Sequence, residues 1–195
     1  MPSTVWSGPV PPLGIVSATP AVAAAITDIS PQQTVIWPGM MAVGTRIRLF
    51  ASGNIITSAA TATVIWGFYM NAQGTSLATT PAILAASAAT TVPNTASASW
   101  SWQMTYNGTV RALSGISGTA ASVMGQGRLT LPVTNITTWA TDVPIPITAA
   151  LRTVAQTATG LNTNTPQTIS MAVTPNVTTA LTSITCDELT CELLG

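Results

Sequence analysis

Along residues 43–50 (VGTRIRLF), Val43, Thr45, Ile47 and Leu49 share one parity while Arg46, Arg48 and Phe50 take the other. This is the period-2 alternation of a strand with one buried face. Residues 51–54 (ASGN) suit a turn, because Gly and Asn tolerate positive φ. Alternation then resumes, with Val64, Trp66, Phe68 and Met70 opposite Thr63, Ile65, Gly67 and Tyr69. Residues 43–70 therefore predict a strand pair with a heavy aromatic load, on which later segments can pack.

The clearest alternation follows at 99–106 (SWSWQMTY), where Trp100, Trp102, Met104 and Tyr106 form a core face against Ser99, Ser101, Gln103 and Thr105. Asn107-Gly108 predicts a turn, with 109–113 answering as the partner strand. In 121–131 (ASVMGQGRLTL), Val123, Gly125, Gly127 and Leu129 share a face, and glycines there mark a bend or the close approach of another backbone. Further strands are expected at 34–37, closed by the turn Trp37-Pro38-Gly39, and at 151–157. Two more fall at 167–173, where Ile169, Met171 and Val173 alternate with Thr168, Ser170 and Ala172, and at 183–194. Residues 71–93 read as a long Ala/Thr/Ser connection with short strand pieces at 75–78 and 83–85, and 135–147 as a second long connection. The total is about eight to ten short strands at spacings of roughly 8–12 residues, with almost no helical periodicity. The two long connections fit Greek-key crossovers better than a meander. The fold class expected is all-β, a jelly-roll-like antiparallel β-sandwich.

Before this domain, residues 1–33 carry Pro2, Pro9, Pro11, Pro12, Pro20 and Pro31, with Trp6, Leu13, Ile15 and Val16 between them. Proline fixes φ and cannot donate to a ladder, so the segment predicts an extended N-terminal arm, with 34–195 as a single sandwich domain. Residues 21–29 fit a short helix or a further strand equally well. The arm either packs along its own domain or reaches over a neighbouring chain.

Composition narrows the class of partner. The 195 residues are 47% hydrophobic but only 5% charged, with five Arg, no Lys or His, and five acids, for a net charge of zero. The surface must be coated with Thr, Ser, Asn, Gln and Ala, and a surface so near neutrality favours association, which marks a subunit of an assembly. Nucleic-acid binding draws on clustered Lys and Arg, whereas here only Arg46 and Arg48 share a strand face, a pairing that suits a solvated face or an ion pair between subunits. No run of about 20 apolar residues is present, so no membrane partner is expected. Residues 1–20 lack a basic n-region and are cut by proline, unlike a signal peptide.

Candidate chemistry is sparse. Without histidine the commonest general base and zinc ligand is missing. Among Asp28, Asp142, Asp187, Glu188 and Glu192, the one cluster lies at the terminus, where a regular strand would place Glu188 and Glu192 on one face and Asp187 opposite. Cys186 and Cys191 are five apart, hence on opposite faces of a regular strand, and free buried thiols are expected rather than a disulfide or metal site. The Gly125-Gln126-Gly127 run has no following lysine or helix start and is no phosphate loop. No enzyme, cofactor or metal is expected. Trp66, Trp100 and Trp102 sit on core faces, leaving Trp6, Trp37 and Trp139 as the loop tryptophans that a sugar platform would need.

The order of features at 44–53 (GTRIRLFASG), the Thr-rich strand after it, Trp100-Ser101-Trp102 and 126–130 (QGRLT) resembles the small jelly-roll capsid decoration (cement) proteins of tailed double-stranded DNA bacteriophages. The likeness is one of pattern and order over about residues 34–194, and it leaves out the Pro-rich arm and the acidic last strand. It implies a homotrimer made in the host cytoplasm and seated on the outside of the virion capsid, at three-fold or quasi-three-fold positions, where it clamps major capsid proteins. A decoration protein gains by burying neutral surface over several subunits at once, which needs no charge steering. The expected partner-binding residues are Trp6, Pro9, Pro11, Pro12, Leu13 and Trp139. The alternative is a carbohydrate-binding jelly-roll module of a tail or spike.

Overall fold

A computed structural model describes residues 17–18, 25–31, 34–59, 62–77, 82–93, 96–115, 121–132, 142–147, 161–176 and 181–195. The described chain is an all-β antiparallel sandwich. Its strands are β1 (Ser17–Ala18), β2 (Thr27–Asp28), β3 (Thr34–Ile36), β4 (Arg46–Thr57), β5 (Thr63–Ala72), β6 (Ala82–Ala86), β7 (Thr90–Thr91), β8 (Ser99–Ala112), β9 (Ser122–Pro132), β10 (Asp142–Ile147), β11 (Gln167–Pro175) and β12 (Leu181–Leu194). One sheet runs β1-β12-β4-β8-β9-β10 and the other β2-β11-β5-β6, with β3 also on β11 and β7 also on β5. In each sheet a late strand returns beside an early one, β12 beside β4 and β11 beside β5, which no simple meander does. The two long connections expected as crossovers instead each hold a strand paired with the one before it, β6 on β5 and β10 on β9.

The parity read from the sequence is the parity of the core. Ile47, Leu49, Ala51 and Ile55 of β4, Val64, Trp66, Phe68 and Met70 of β5, and Trp102, Met104, Tyr106 and Val110 of β8 are all buried. The two sheets meet at Trp66 and Trp102, whose ring centroids lie 4.9 Å apart with planes at 45°, a tilted aromatic pair that adds about 1 kcal/mol beyond the area it buries. The two indoles differ in one respect. Trp102 Nε1 donates to Thr185 O at 3.1 Å, whereas Trp66 Nε1 is buried without a partner. Removing a made bond costs about 1 kcal/mol and strands the Thr185 carbonyl, while removing an orphan N–H relieves a penalty. Trp102→Phe is therefore expected to lower the denaturant midpoint more than Trp66→Phe, and the opposite order would refute this account of the core.

Both predicted turns on β4 and β8 are corrected. Residues 51–54 and Asn107-Gly108 lie inside continuous strands paired along their lengths, and neither Gly53 nor Gly108 has positive φ. These glycines make room. The Tyr106 ring folds along its own strand across Gly108 and Gly125, and a Cβ on Gly125 would stand 2.5 Å from Asn107 O. The close backbone approach expected at Gly125 is present. Gly39, by contrast, has φ 85° and turns the chain after Trp37, with Met40 N donating to Trp37 O at 3.1 Å.

Two connections also differ from expectation. Within 71–93, residues 75–77 form no strand but fold back over the sheet, where Leu77 is buried against Tyr69 and Ala172; 83–85 do belong to β6. Within 135–147, β10 pairs with β9 from Asp142 opposite Pro132 to Ile147 opposite Gly127. It is an edge strand, the place where a sheet tolerates Pro144 and Pro146. The strand expected at 151–157 lies outside the described residues. In the N-terminal segment, Ser17 pairs with Thr185, Asp28 with Ala172, and Ile29 is fully buried in the core.

Candidate functional site

Trp6, Pro9, Pro11, Pro12, Leu13 and Trp139 all lie outside the described residues. The chemistry the structure does bring together is on the outer face of the larger sheet. Register places Leu194, Arg46, Thr109 and Met124 in one cross-strand row, Glu192, Arg48, Asn107 and Gln126 in the next, then Thr190, Phe50, Thr105 and Arg128, then Glu188, Ser52, Gln103 and Thr130. Arg111, lifted at a bulge between Val110 and Ala112, is exposed at the end of β8.

Arg46, Arg48, Arg111 and Arg128, four of the five arginines, thus stand on β4, β8 and β9. Asp187, Glu188 and Glu192, three of the five acids, line β12 beside them. The face is polarised across its strands, acidic along β12 and basic over its neighbours. Arg48 and Glu192 bridge the boundary at 3.3 Å, with side chains 56% and 40% exposed; a pair so open to water contributes under about 1 kcal/mol to stability. Its value is as an orienting feature for a partner. Beside it a cleft of about 320 Å³ is lined by Arg48, Glu192, Asn107, Thr105 and the half-buried Phe50.

The terminal strand carries a correction that also makes this face. A bulge between Cys186 and Glu188 inserts Asp187 as an extra residue. Asp187 is therefore not opposite the glutamates. It is exposed on their side, accepting a 2.9 Å bond from Asn54 Nδ2. The same extra residue resets the parity, so Cys186 and Cys191 both point inward instead of to opposite faces. They are free and fully buried. Burial pushes both thiols up to about 12, with Cys186 Sγ donating to Glu188 O at 3.1 Å. Thiols held neutral in this way are poor nucleophiles and poor metal ligands.

Among the described residues, no group of three His, Cys, Asp or Glu could hold a metal ion, and no helix is long and apolar enough to cross a membrane. Trp66 and Trp102 are core residues and Trp100 is partly buried against the core, while Trp37 is 54% exposed. A second cleft, over the other sheet, is one the sequence reading missed. Asp28, Asn71, Thr168 and Ser170 line it, drawn from strands far apart in sequence, and their only forewarning was a lone acid in an otherwise neutral segment. No family model, curated protein or solved structure matches the chain.

Proposed function

We propose that the chain is a structural virion protein, a capsid decoration (cement) protein that binds the outside of an icosahedral phage head as a homotrimer and holds neighbouring major capsid proteins together. The observation that carries this reading is the gathering of most of the chain's few charges on one sheet face. A body that is otherwise neutral and hydroxyl-coated gains little from staying apart in solution. A single face carrying adjacent acidic and basic strips gives it one preferred docking direction, because complementary charge fixes orientation more than affinity. The jelly-roll variety of the sandwich belongs to this proposal, as does the arm expected over residues 1–33, whose part ahead of Ser17 would add a second point of attachment while Ser17–Ala18 and Thr27–Asp28 pair within the sandwich.

The test is a copy count in purified particles by quantitative mass spectrometry. Hundreds of copies per particle are expected, with lower occupancy after deletion of residues 1–20 or after Arg46→Ala combined with Arg48→Ala. A few copies per particle would overturn the proposal. The second reading, a carbohydrate-binding module of a tail or spike, is favoured by the hydroxyl-lined cleft on the opposite side of the sandwich.

A further inference from the structure

Among the described residues, part of the outer face of the smaller sheet is covered by its own chain. Residues 72–77 fold back over it: Thr75 N donates to Ala72 O at 3.1 Å, and Asn71 Nδ2 donates to Thr75 O at 2.6 Å and to Thr75 Oγ1 at 3.0 Å. Leu77 is thereby pressed against Tyr69 and Ala172, with Ile26 and Ile83 packed beside them. Between this flap and strand β2 a cleft of about 410 Å³ remains, inside the roughly 300–1,000 Å³ range of small-molecule sites.

Its polar groups have spare bonding capacity. Asp28 Oδ1 accepts from Ser30 N at 2.9 Å and Oδ2 from Ser170 Oγ at 3.0 Å. These bonds orient the carboxylate, and each oxygen keeps a second lone pair. Asn71 spends its Nδ2 hydrogens on Thr75, which leaves Oδ1 as an acceptor. Thr168, paired across the sheet with Asn71, is 7% exposed, and its Oγ1 is buried without any hydrogen-bond partner. An orphaned buried hydroxyl carries a penalty that a bound ligand can relieve. Ile26 and Leu77 add apolar surface to the same wall.

The lining selects the ligand class. Among the described residues no cation lines the cleft, so an anionic group would meet Asp28 without compensation. One carboxylate is too few for calcium, which takes six to eight oxygens with several charged ones among them. A neutral ring bearing several hydroxyls fits on both counts, donating to Asp28, to Asn71 Oδ1 and to Ser170 Oγ, whose own hydrogen is spent on Asp28, accepting from Thr168, and laying C–H groups on Ile26 and Leu77. We infer that the cleft over the smaller sheet, built by Asp28, Asn71, Thr168 and Ser170, binds a neutral saccharide unit. This deepens the carbohydrate-binding reading and is independent of the shell reading. The charged face lies on the other side of the sandwich, so a subunit docked by that face would still present the cleft.

The experiment is ligand-observed saturation-transfer NMR on the full chain, with glucose, galactose, mannose, N-acetylglucosamine and N-acetylgalactosamine at millimolar concentration as probes. At least one sugar should receive saturation through its ring protons. Asp28→Ala should weaken that binding at least tenfold, the loss of one charge-assisted bond. Thr168→Val should also weaken it several-fold while raising the melting temperature, because it deletes the orphan hydroxyl at nearly constant shape; a purely structural Thr168 would not combine those two changes. Thr168→Val also keeps the test valid should Asp28→Ala disturb folding. Absence of saturation transfer to all five sugars, or binding unchanged in both variants, overturns the inference. The sugar test uses isolated protein and the copy count uses particles, so failure of one is distinguishable from failure of the other.

Discussion

Gly53→Ala is expected to cost this protein a large share of its stability for the addition of a single methyl. A Cβ at position 53 would overlap Thr185 O, and would stand 2.8 Å from Thr185 C and 2.9 Å from the Cys186 Cα. All three are backbone atoms, so no side chain can swing aside. That carbonyl is turned inward because the bulge around Asp187 shifts β12 at this point, and it accepts the indole N–H of Trp102. The new methyl must therefore push back the bulged backbone and break the Trp102 bond with it. Overpacking costs about 1–3 kcal/mol and the lost bond about 1 kcal/mol more, together a fall of about 10 °C in melting temperature for a chain of this size. Ser52→Ala, one residue away on the outward face, should change stability by less than about 0.5 kcal/mol. Thermal unfolding of the two variants side by side checks the claim, and equal melting temperatures would refute it.

The same glycine shows where sequence reading reached its limit. Alternation in β4, β5 and β8 was legible because a half-buried strand stamps its two faces on residue type. Ile47, Leu49, Val64, Trp66, Phe68, Met70, Trp102, Met104 and Tyr106 are buried as the parity named, whereas Val43, ahead of β4, is 65% exposed, Trp100 is only partly buried, and Tyr69 on the other face is buried against Leu77 and Ala172. Gly53-Asn54 and Asn107-Gly108 misled because a glycine permits two different things, a positive φ or the approach of another atom, and the local sequence does not separate them. Only the neighbours do: Thr185 in one case and the Tyr106 ring in the other, the first of them 132 residues further along the numbering. The two-proline strand β10 was hidden for a related reason, since Pro144 and Pro146 are compatible with a strand only at an edge, and edge status is a property of the whole sheet.

The site was legible in its parts but not in its assembly. Arg46 and Arg48 could be placed on one face from spacing alone. That Arg111 and Arg128 join them, and that the acids of β12 run beside them, follows from β12 returning next to β4, which no local pattern encodes. The inserted Asp187 inverted the expected parity of the terminal strand, placing both cysteines inside. The cleft over the smaller sheet depends on β11 lying between β2 and β5, three segments whose sequence order gives no hint of contact.

Raising the pH above 9 is expected to unfold the protein through its buried thiols. Cys186 and Cys191 rise from 9.0 to about 12 on folding, first of all because burial penalises the thiolate. Between those values the unfolded chain releases two protons that the folded chain retains, so the unfolded state binds fewer protons and stability must fall as pH rises. The stability is complete below about pH 9, and each further unit removes about 1.4 kcal/mol per thiol. At about pH 11 the two thiols together cost about 5 kcal/mol, set against a total stability of roughly 5–15 kcal/mol for a folded domain. Burial raises Tyr69 and Tyr106 in the same direction, so the tyrosines steepen the loss above pH 10. Urea midpoints measured from pH 7.5 to 10.5 should hold level and then drop. Cys186→Ala combined with Cys191→Ala should start from a lower midpoint, because two core groups are truncated, yet stay flat to a higher pH. Identical pH profiles for the two proteins, or thiols that react with Ellman's reagent in the folded state as fast as free cysteine, would show that the sulfurs are not sealed in the core.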